Sequence, residues 1–600
     1  MVKLRSEVKK EDTWALEEMY PKKEALEKDY QYLVEHLTDL SKHKGHVLDS
    51  AQNLLETLRI DNQLSLLLEK VCLFTAMTYD VDTTDGEALQ QKNKMLVLES
   101  DMRAEAAYLK PELLAGTYEQ VEKFIEEEPA LKEFERSLQL VYRLKGHTLT
   151  EAEESLLSKV SNLLNSGNTS AYALRNSDLT YGDIQDEAGN IIELTSSNYS
   201  KLVSSKDRNI RKQAFEQYHA AYQSLRNTFA SLYHTEVQKH VMLAELYHYQ
   251  SAREMALYQN EIDEKIYDQL LEGVHESLPL LFDYYHLKKE VLGLEELHLY
   301  DIYAPLVPEK DVPTYTFEEA KQLVIDALGI LGNDYQNLVR QAFEERWIDR
   351  YSNKGKRSGA YSWGGYESKS YILTNFEGTY HDVSTLAHEI GHSIHSYYSK
   401  KHNPFQNYHY KIFVAEVAST TNELLFNDYM LKHSQNKNEK LLILNQQMEL
   451  FKSTIYRQAM FAEAEQLFHQ KVAAGDTLTA DWLEATYYHL NKTYFGPDVV
   501  VDKTIQSEWS RIPHFYMNFY VYQYATGLSA ASKIVSNLLT HKQGALESYL
   551  KFLTLGGSLP PVEELKVASV DMNQKKTIME ALQLFQKTMD QFRLLMQERN

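Results

Sequence analysis

At 600 residues, with 43% hydrophobic and 25% charged side chains, the chain has the composition of a folded soluble protein rather than a disordered one, and its length allows roughly three to four domains. A formal net charge of −23 excludes the basic footprint that nucleic acid or an anionic membrane surface requires. A single cysteine, Cys72 between apolar neighbours, excludes an intramolecular disulfide; with a charged N-terminal stretch and no run of about eighteen apolar residues, a cytoplasmic location is expected.

From the start to about residue 180 the pattern is amphipathic and helical, interrupted by few Pro or Gly residues. A polar turn at Asp186-Glu187-Ala188-Gly189-Asn190 between short β-prone runs, then a Ser-rich stretch from Thr195 to Ser200, marks a boundary. It divides an N-terminal helical region, 1–195, from a second region, 196–600. In the latter, Phe215, Tyr218, Tyr222, Leu225, Phe229 and Leu232 recur at spacings of three and four, which predicts one helix with a buried stripe. Pro305, Pro308 and Pro313 predict a loop, and Thr316-Phe317-Glu318-Glu319 reads as the capping box of a helical run reaching Trp347. Between Tyr351 and Thr379, five glycines punctuate β-prone runs such as Tyr371-Ile372-Leu373, so a small sheet or hairpin is expected there. Most of the 42 tyrosines are read as packing at the edge of the core.

Residues 388–392 read His-Glu-Ile-Gly-His. On a helix, residues four apart are rotated by only about 40°, so His388 and His392 can reach one metal ion. Glu389 sits one step aside, where a general base can touch water at the metal without becoming a ligand. The pattern is short enough to arise by chance, but Val383, Leu386, Ile390, Ile394 and Tyr397 fall in one sector opposite the histidines, and Asp382 can cap the helix.

A catalytic zinc takes three protein ligands. The metzincin positions hold His395 and Tyr398 instead of the required Gly and His, so that class fails. His395 and His402 are read as polar surface histidines. Glu416 lies 24 residues beyond His392, enough to finish one helix, turn through Asn403-Pro404 and bring a second helix alongside. Glu416, Ser419, Thr420 and Glu423 share one face of that second helix, which suits a third ligand at Glu416 and a partner at Glu423 that orients a ligand histidine. Farther on, the aromatic run from His514 to Tyr524 offers donors for an oxyanion, after Pro513 at an expected helix start.

Lys356 to Ser362, Tyr371 to Phe376, the His388–His392 motif, Phe413 to Ser419 and the segment after His514 together resemble the thimet-oligopeptidase-like zinc metallopeptidases, most specifically from about residue 200 onward. The resemblance implies a mainly α, bi-lobed helical metallopeptidase with a small β-sheet beside the active-site helix and a deep channel that admits peptides and excludes folded proteins. It implies one Zn²⁺ held by His388, His392 and Glu416, and Glu389 activating a zinc-bound water to cut internal bonds of short oligopeptides. His514 and Tyr522 match the positions that contact the scissile carbonyl, although the family's Gly-Gly-Tyr-Asp run is missing, which leaves Tyr516, Tyr520 and Tyr524 as alternatives. The strand Gly359-Ala360-Tyr361 resembles the edge that pairs with the substrate backbone. A gluzincin aminopeptidase is the nearest rival, but its Gly-x-Met-Glu-Asn strand is absent from the sequence. A non-catalytic zinc scaffold is disfavoured because such sites are closed by four ligands and have no use for Glu389. The expected partners are oligopeptides, with neither nucleic acid nor membrane; the oligomeric state is left open.

Overall fold

The computed structural model describes residues 3–186, 188–307 and 313–598, so Glu187 of the expected turn and Pro308 of the expected loop lie outside the described residues. The chain is mainly α, with small sheets of two or three strands. It forms two compact units, each assembled from separated stretches: 1–148, 313–429 and 534–569 in the first, and 149–312, 430–533 and 570–600 in the second. Among the described residues no helix is long and apolar enough to cross a membrane.

In the first unit, Ser50 starts a long helix, Ala51–Asp80, by accepting the N–H of Asn53, and Asp85 does the same for Gly86–Ala106. These helices bury Leu64, Val71, Met77, Met95 and Leu98 together with Trp14 and Tyr20, and the same core takes in Tyr371 and Leu373. Those two residues lie on the central strand of a three-stranded sheet. Tyr371–Leu373 pairs in parallel with Ile348–Asp349 and antiparallel with Tyr361–Trp363, which is left as an edge strand. A Cβ on Gly364 would meet the backbone of Lys369 and Ser370 at 2.5 and 2.7 Å, which explains a glycine just after that strand.

The capping box at Thr316 and Glu319 forms as expected, but the helical run to Trp347 is divided into Phe317–Ala327 and Asn333–Glu344. Gly332, at φ +87°, makes the break, a conformation that a residue with a side chain resists. The expected single helix over Phe215–Leu232 is likewise two, Arg208–Ser224 and Arg226–Leu246, with Leu225 at φ −112° and ψ 18° between them. One residue leaving helical geometry redirects the axis without disturbing the three–four spacing, so periodicity cannot register it.

The second unit is tyrosine-rich inside rather than at its rim. Tyr199 and Tyr181 stack on Tyr218 at 3.8 and 4.7 Å, and Tyr233, Tyr267, Tyr284 and Tyr487 are fully buried. Several buried charges there are paired: Asp301 with Arg208 and Arg211, and Glu508 with Arg457 and Arg511. Asp183–Gln185 and Ile191–Glu193, the β-prone runs on either side of the polar stretch, pair antiparallel.

Candidate metal centre

The His-Glu-Ile-Gly-His motif lies on the helix Tyr380–His402. That helix begins three residues before the expected Asp382 cap: Thr379 is the N-cap, and Asp382 is the reciprocal member of its capping box, accepting the Thr379 N–H at 2.9 Å. Gly378, at φ +90° and pressed against Tyr315 O, turns the chain into this start. Val383, Leu386, Ile390 and Ile394 are completely buried, each contributing about 1.5–3 kcal/mol by leaving water. Together they fix the rotation of the helix and hence the direction of its histidines.

The helix ends at His402, Asn403-Pro404 turns the chain, and Ile412–His433 returns alongside. Gly391 lets the two helices touch, since a Cβ there would lie 2.6 Å from Ser419 Cα and 2.7 Å from Ala418 O. Buried Asn422 donates to Ala387 O at 3.2 Å and accepts from the Tyr335 hydroxyl at 2.9 Å, locking the register. A second cross-link runs from the Tyr380 hydroxyl to Asn427 at 2.5 Å.

This pairing brings Nε2 of His388 and Nε2 of His392 each to 3.4 Å from Oε2 of Glu416. Bonds of ~2.0–2.1 Å at tetrahedral angles space donor atoms by about 3.3–3.4 Å, so the donor set fits a tetrahedral cation such as zinc. Among the described residues it is the one group of three or more His, Cys, Asp or Glu whose ligand atoms all lie within 4.8 Å of one another. Glu423 sits 3.2 Å from His388 Nδ1, where it accepts the Nδ1–H and leaves Nε2 for a metal. Burial opposes protonation of His388, yet Glu416 and Glu423 outweigh it and push its pKa up to about 10. Burial of Glu416 is overcome in the same way, with His388 and His392 holding it well below the carboxylate range. The pocket is built to hold positive charge.

Glu389 is 7% exposed, burial raises its pKa, and its Oε2 has no hydrogen-bond partner among the described residues. Such an oxygen suits proton exchange with something that is not protein. Ser362 Oγ, on the edge strand, meets Ser393 Oγ at 2.8 Å and ties the strand to the motif helix. Gly359, at φ +83°, has open space where a Cβ would stand and its carbonyl accepts from Asn375 at 2.9 Å, while the Tyr361 hydroxyl donates to Asp80 at 3.0 Å. Lys356, in the same stretch, is structural: its buried ammonium pairs with Asp349 at 2.7 Å.

His395 and His402 take no part in the cluster. His395 is not a surface residue; it is 1% exposed and stacks on Tyr410 at 3.9 Å, and burial lowers its pKa to about 3. His402 turns its Nδ1 to Tyr398 O at 2.8 Å.

His514 and Tyr522 belong to the second unit. Pro513 opens a 3-10 turn, Pro513–Tyr516, rather than an α-helix, which begins only at Tyr522. Tyr522 is 1% exposed with its ring 5.2 Å from that of Tyr267, and burial raises its pKa far above the usual tyrosine range. Tyr516 is also buried, beneath the Arg175 guanidinium. Tyr520 and Tyr524 are partly exposed, and their rings flank His514 at 6.2 and 6.0 Å.

The residues that sequence reasoning missed are the ones that bring the two helices together: Gly391, Asn422, Tyr335 and the Tyr380–Asn427 pair. A glycine inside the motif was the available signal, since glycine in a helix interior costs about 1 kcal/mol against alanine and calls for a packing reason.

Comparison with known proteins places these features. The sequence pattern of peptidase family M3 matches residues 201–584, and that of oligopeptidase F matches 112–181. The chain is 41% identical over 592 residues to oligopeptidase PepF of Bacillus subtilis, covering 99% of this chain and 88% of that protein. It is 35% identical over 599 residues to an oligoendopeptidase F homologue of Lactococcus lactis, covering 100% and 99%. The crystal structure of oligoendopeptidase-F from Enterococcus faecium superposes with a TM-score of 0.76 at 32% identity, covering 96% of this chain and 99% of that one. With matches over its whole length and a His-His-Glu cluster compatible with a metal, the chain belongs to peptidase family M3, within its oligoendopeptidase F group, and is a metalloendopeptidase.

Proposed function

We propose that the chain is a zinc-dependent endopeptidase that hydrolyses internal bonds of short oligopeptides, with zinc on His388, His392 and Glu416 and Glu389 as general base. The reading is carried by one observation: two imidazole Nε2 atoms and a carboxylate oxygen converge at tetrahedral spacing with the partnerless Oε2 of Glu389 on the same helix. When bound, zinc supplies a Lewis acid that acidifies water and polarises a carbonyl. Glu389 takes a proton from water as the water oxygen bonds to the peptide carbon. It then gives that proton to the amine nitrogen as the C–N bond breaks. Glu423 keeps His388 in the tautomer whose Nε2 can ligate. The free edge of Tyr361–Trp363 offers backbone groups to an extended peptide, which suits tolerance of many sequences.

For the carbonyl oxygen we assign His514 and a tyrosine of its segment as donors, on the resemblance described above. The deep burial of Tyr522 moves that choice to Tyr520, whose ring lies nearly parallel to His514 and reaches solvent. The single half-buried Cys72 suits work inside the cell, in peptide turnover.

Glu389→Gln tests the mechanism. It should keep zinc, measured by mass spectrometry, and lose about 10²–10⁴-fold in cleavage of a quenched-fluorescent peptide blocked at its N-terminus. Near wild-type cleavage would sink the role of Glu389, and full zinc retention in Glu416→Ala would remove Glu416 from the ligands.

A further inference from the structure

Between His514 and Tyr520 the backbone does something costly. Asn518 and Phe519, consecutive and neither of them glycine, hold φ at 42° and 56°. Left-handed backbone is disfavoured for L side chains and most of all for bulky ones, so it persists only where the surroundings enforce it. The Phe519 ring lies 4.6 Å from that of His469 and 5.8 Å from that of Tyr267, and the Phe519 N–H donates to Glu465 Oε1 at 2.6 Å.

Glu465 is wholly buried on the helix Arg457–Ala473, and among the described residues no ion pair reaches it. An apolar residue would pack there at lower cost. Its neighbours are equally fixed. His469 Nδ1 lies 2.8 Å from Glu465 O, so this nitrogen carries the proton and Nε2 accepts from His240 Nδ1 at 3.2 Å. Burial pushes the Glu465 pKa up to about 8, so at neutral pH it is mostly an uncharged acid whose Oε1 still accepts the Phe519 N–H.

We propose that Glu465 is a positioning residue for peptide hydrolysis: it clamps the Asn518–Phe519 turn and thereby sets how His514 and Tyr520 are held relative to each other. The proposal rests on the assignment of those two residues to the carbonyl oxygen.

Glu465→Met removes the acceptor while filling the space, and Glu465→Gln keeps an acceptor oxygen. Glu465→Met should lower kcat by about 10- to 100-fold with KM and zinc content within about threefold of wild type, and Glu465→Gln should keep kcat within about threefold. In a His514→Ala background, Glu465→Met should cost less than about threefold more, because a group acting through His514 cannot be lost twice. An unchanged kcat in Glu465→Met, or losses that multiply in the double variant, would overturn the proposal. Should Glu465→Met not fold by circular dichroism, Glu465→Gln decides: a tenfold fall in kcat of the folded protein overturns it. His514→Ala and Tyr520→Phe separate the two levels. If both retain wild-type kcat, the carbonyl assignment falls and takes this proposal with it; if both lose kcat while Glu465→Met does not, only the role of Glu465 falls.

Discussion

The His388–Glu416 cluster and the His514–Tyr524 segment both concentrate side chains proposed to act on the substrate, and they are built in opposite ways. The first rides on two regular helices whose caps, apolar faces and glycine contact fix every donor atom. The second rides on irregular backbone, a 3-10 turn followed by two left-handed residues, held by a buried carboxyl and packed rings. Regular elements give a geometry that follows from spacing. Irregular ones need side chains from elsewhere to enforce theirs, and are correspondingly sensitive to single changes outside the segment.

The largest effect that would sharpen this contrast concerns the tyrosines. Tyr520→Phe should lower kcat by about 10²–10³-fold, the usual cost of removing one donor to an oxyanion, and Tyr522→Phe should stay within about tenfold. The reverse order in steady-state kinetics would return the role to Tyr522. On the helical side, Glu423→Ala should weaken zinc affinity by about 10- to 100-fold in a competition titration with a chelator, since His388 loses the group that orients it. Unchanged affinity would show that the helix alone orients the ring.

Gly391→Ala places a methyl against Ser419 and Ala418 backbone and should cost about 1–3 kcal/mol by denaturant unfolding. A neutral result would mean that the helices part without loss. The smallest effect is a pH dependence in the second unit. His219, 1% exposed and with no hydrogen-bond partner at Nδ1 among the described residues, is held neutral by burial with its pKa lowered to about 3. The unfolded chain, titrating near 6.5, binds the proton that the folded chain refuses, so the stability contribution is present above about pH 6.5 and is lost as pH falls toward 3. His219→Phe should flatten the dependence of Tm on pH across that window; an unaltered slope would assign the acid sensitivity elsewhere.

The sequence alone carried the mainly α texture, the capping box at Thr316 and the small sheet before the motif, because caps and short periodic runs are local properties, and it pointed to His388, His392 and Glu416, which the fold brings together. It misread Asp382 as the cap, continued helices through Leu225 and Gly332, and took His395 for a surface residue. In each case the deciding quantity is a backbone torsion or a neighbour far along the chain, neither of which leaves a periodic trace. The tertiary structure decided which helices touch at Gly391, which nitrogen of His388 faces Glu416, and that Tyr522 is buried while Tyr520 is not. Residue types and their spacing specify what chemistry is available. Only the packing of distant segments fixes the few ångströms that turn donors into a site.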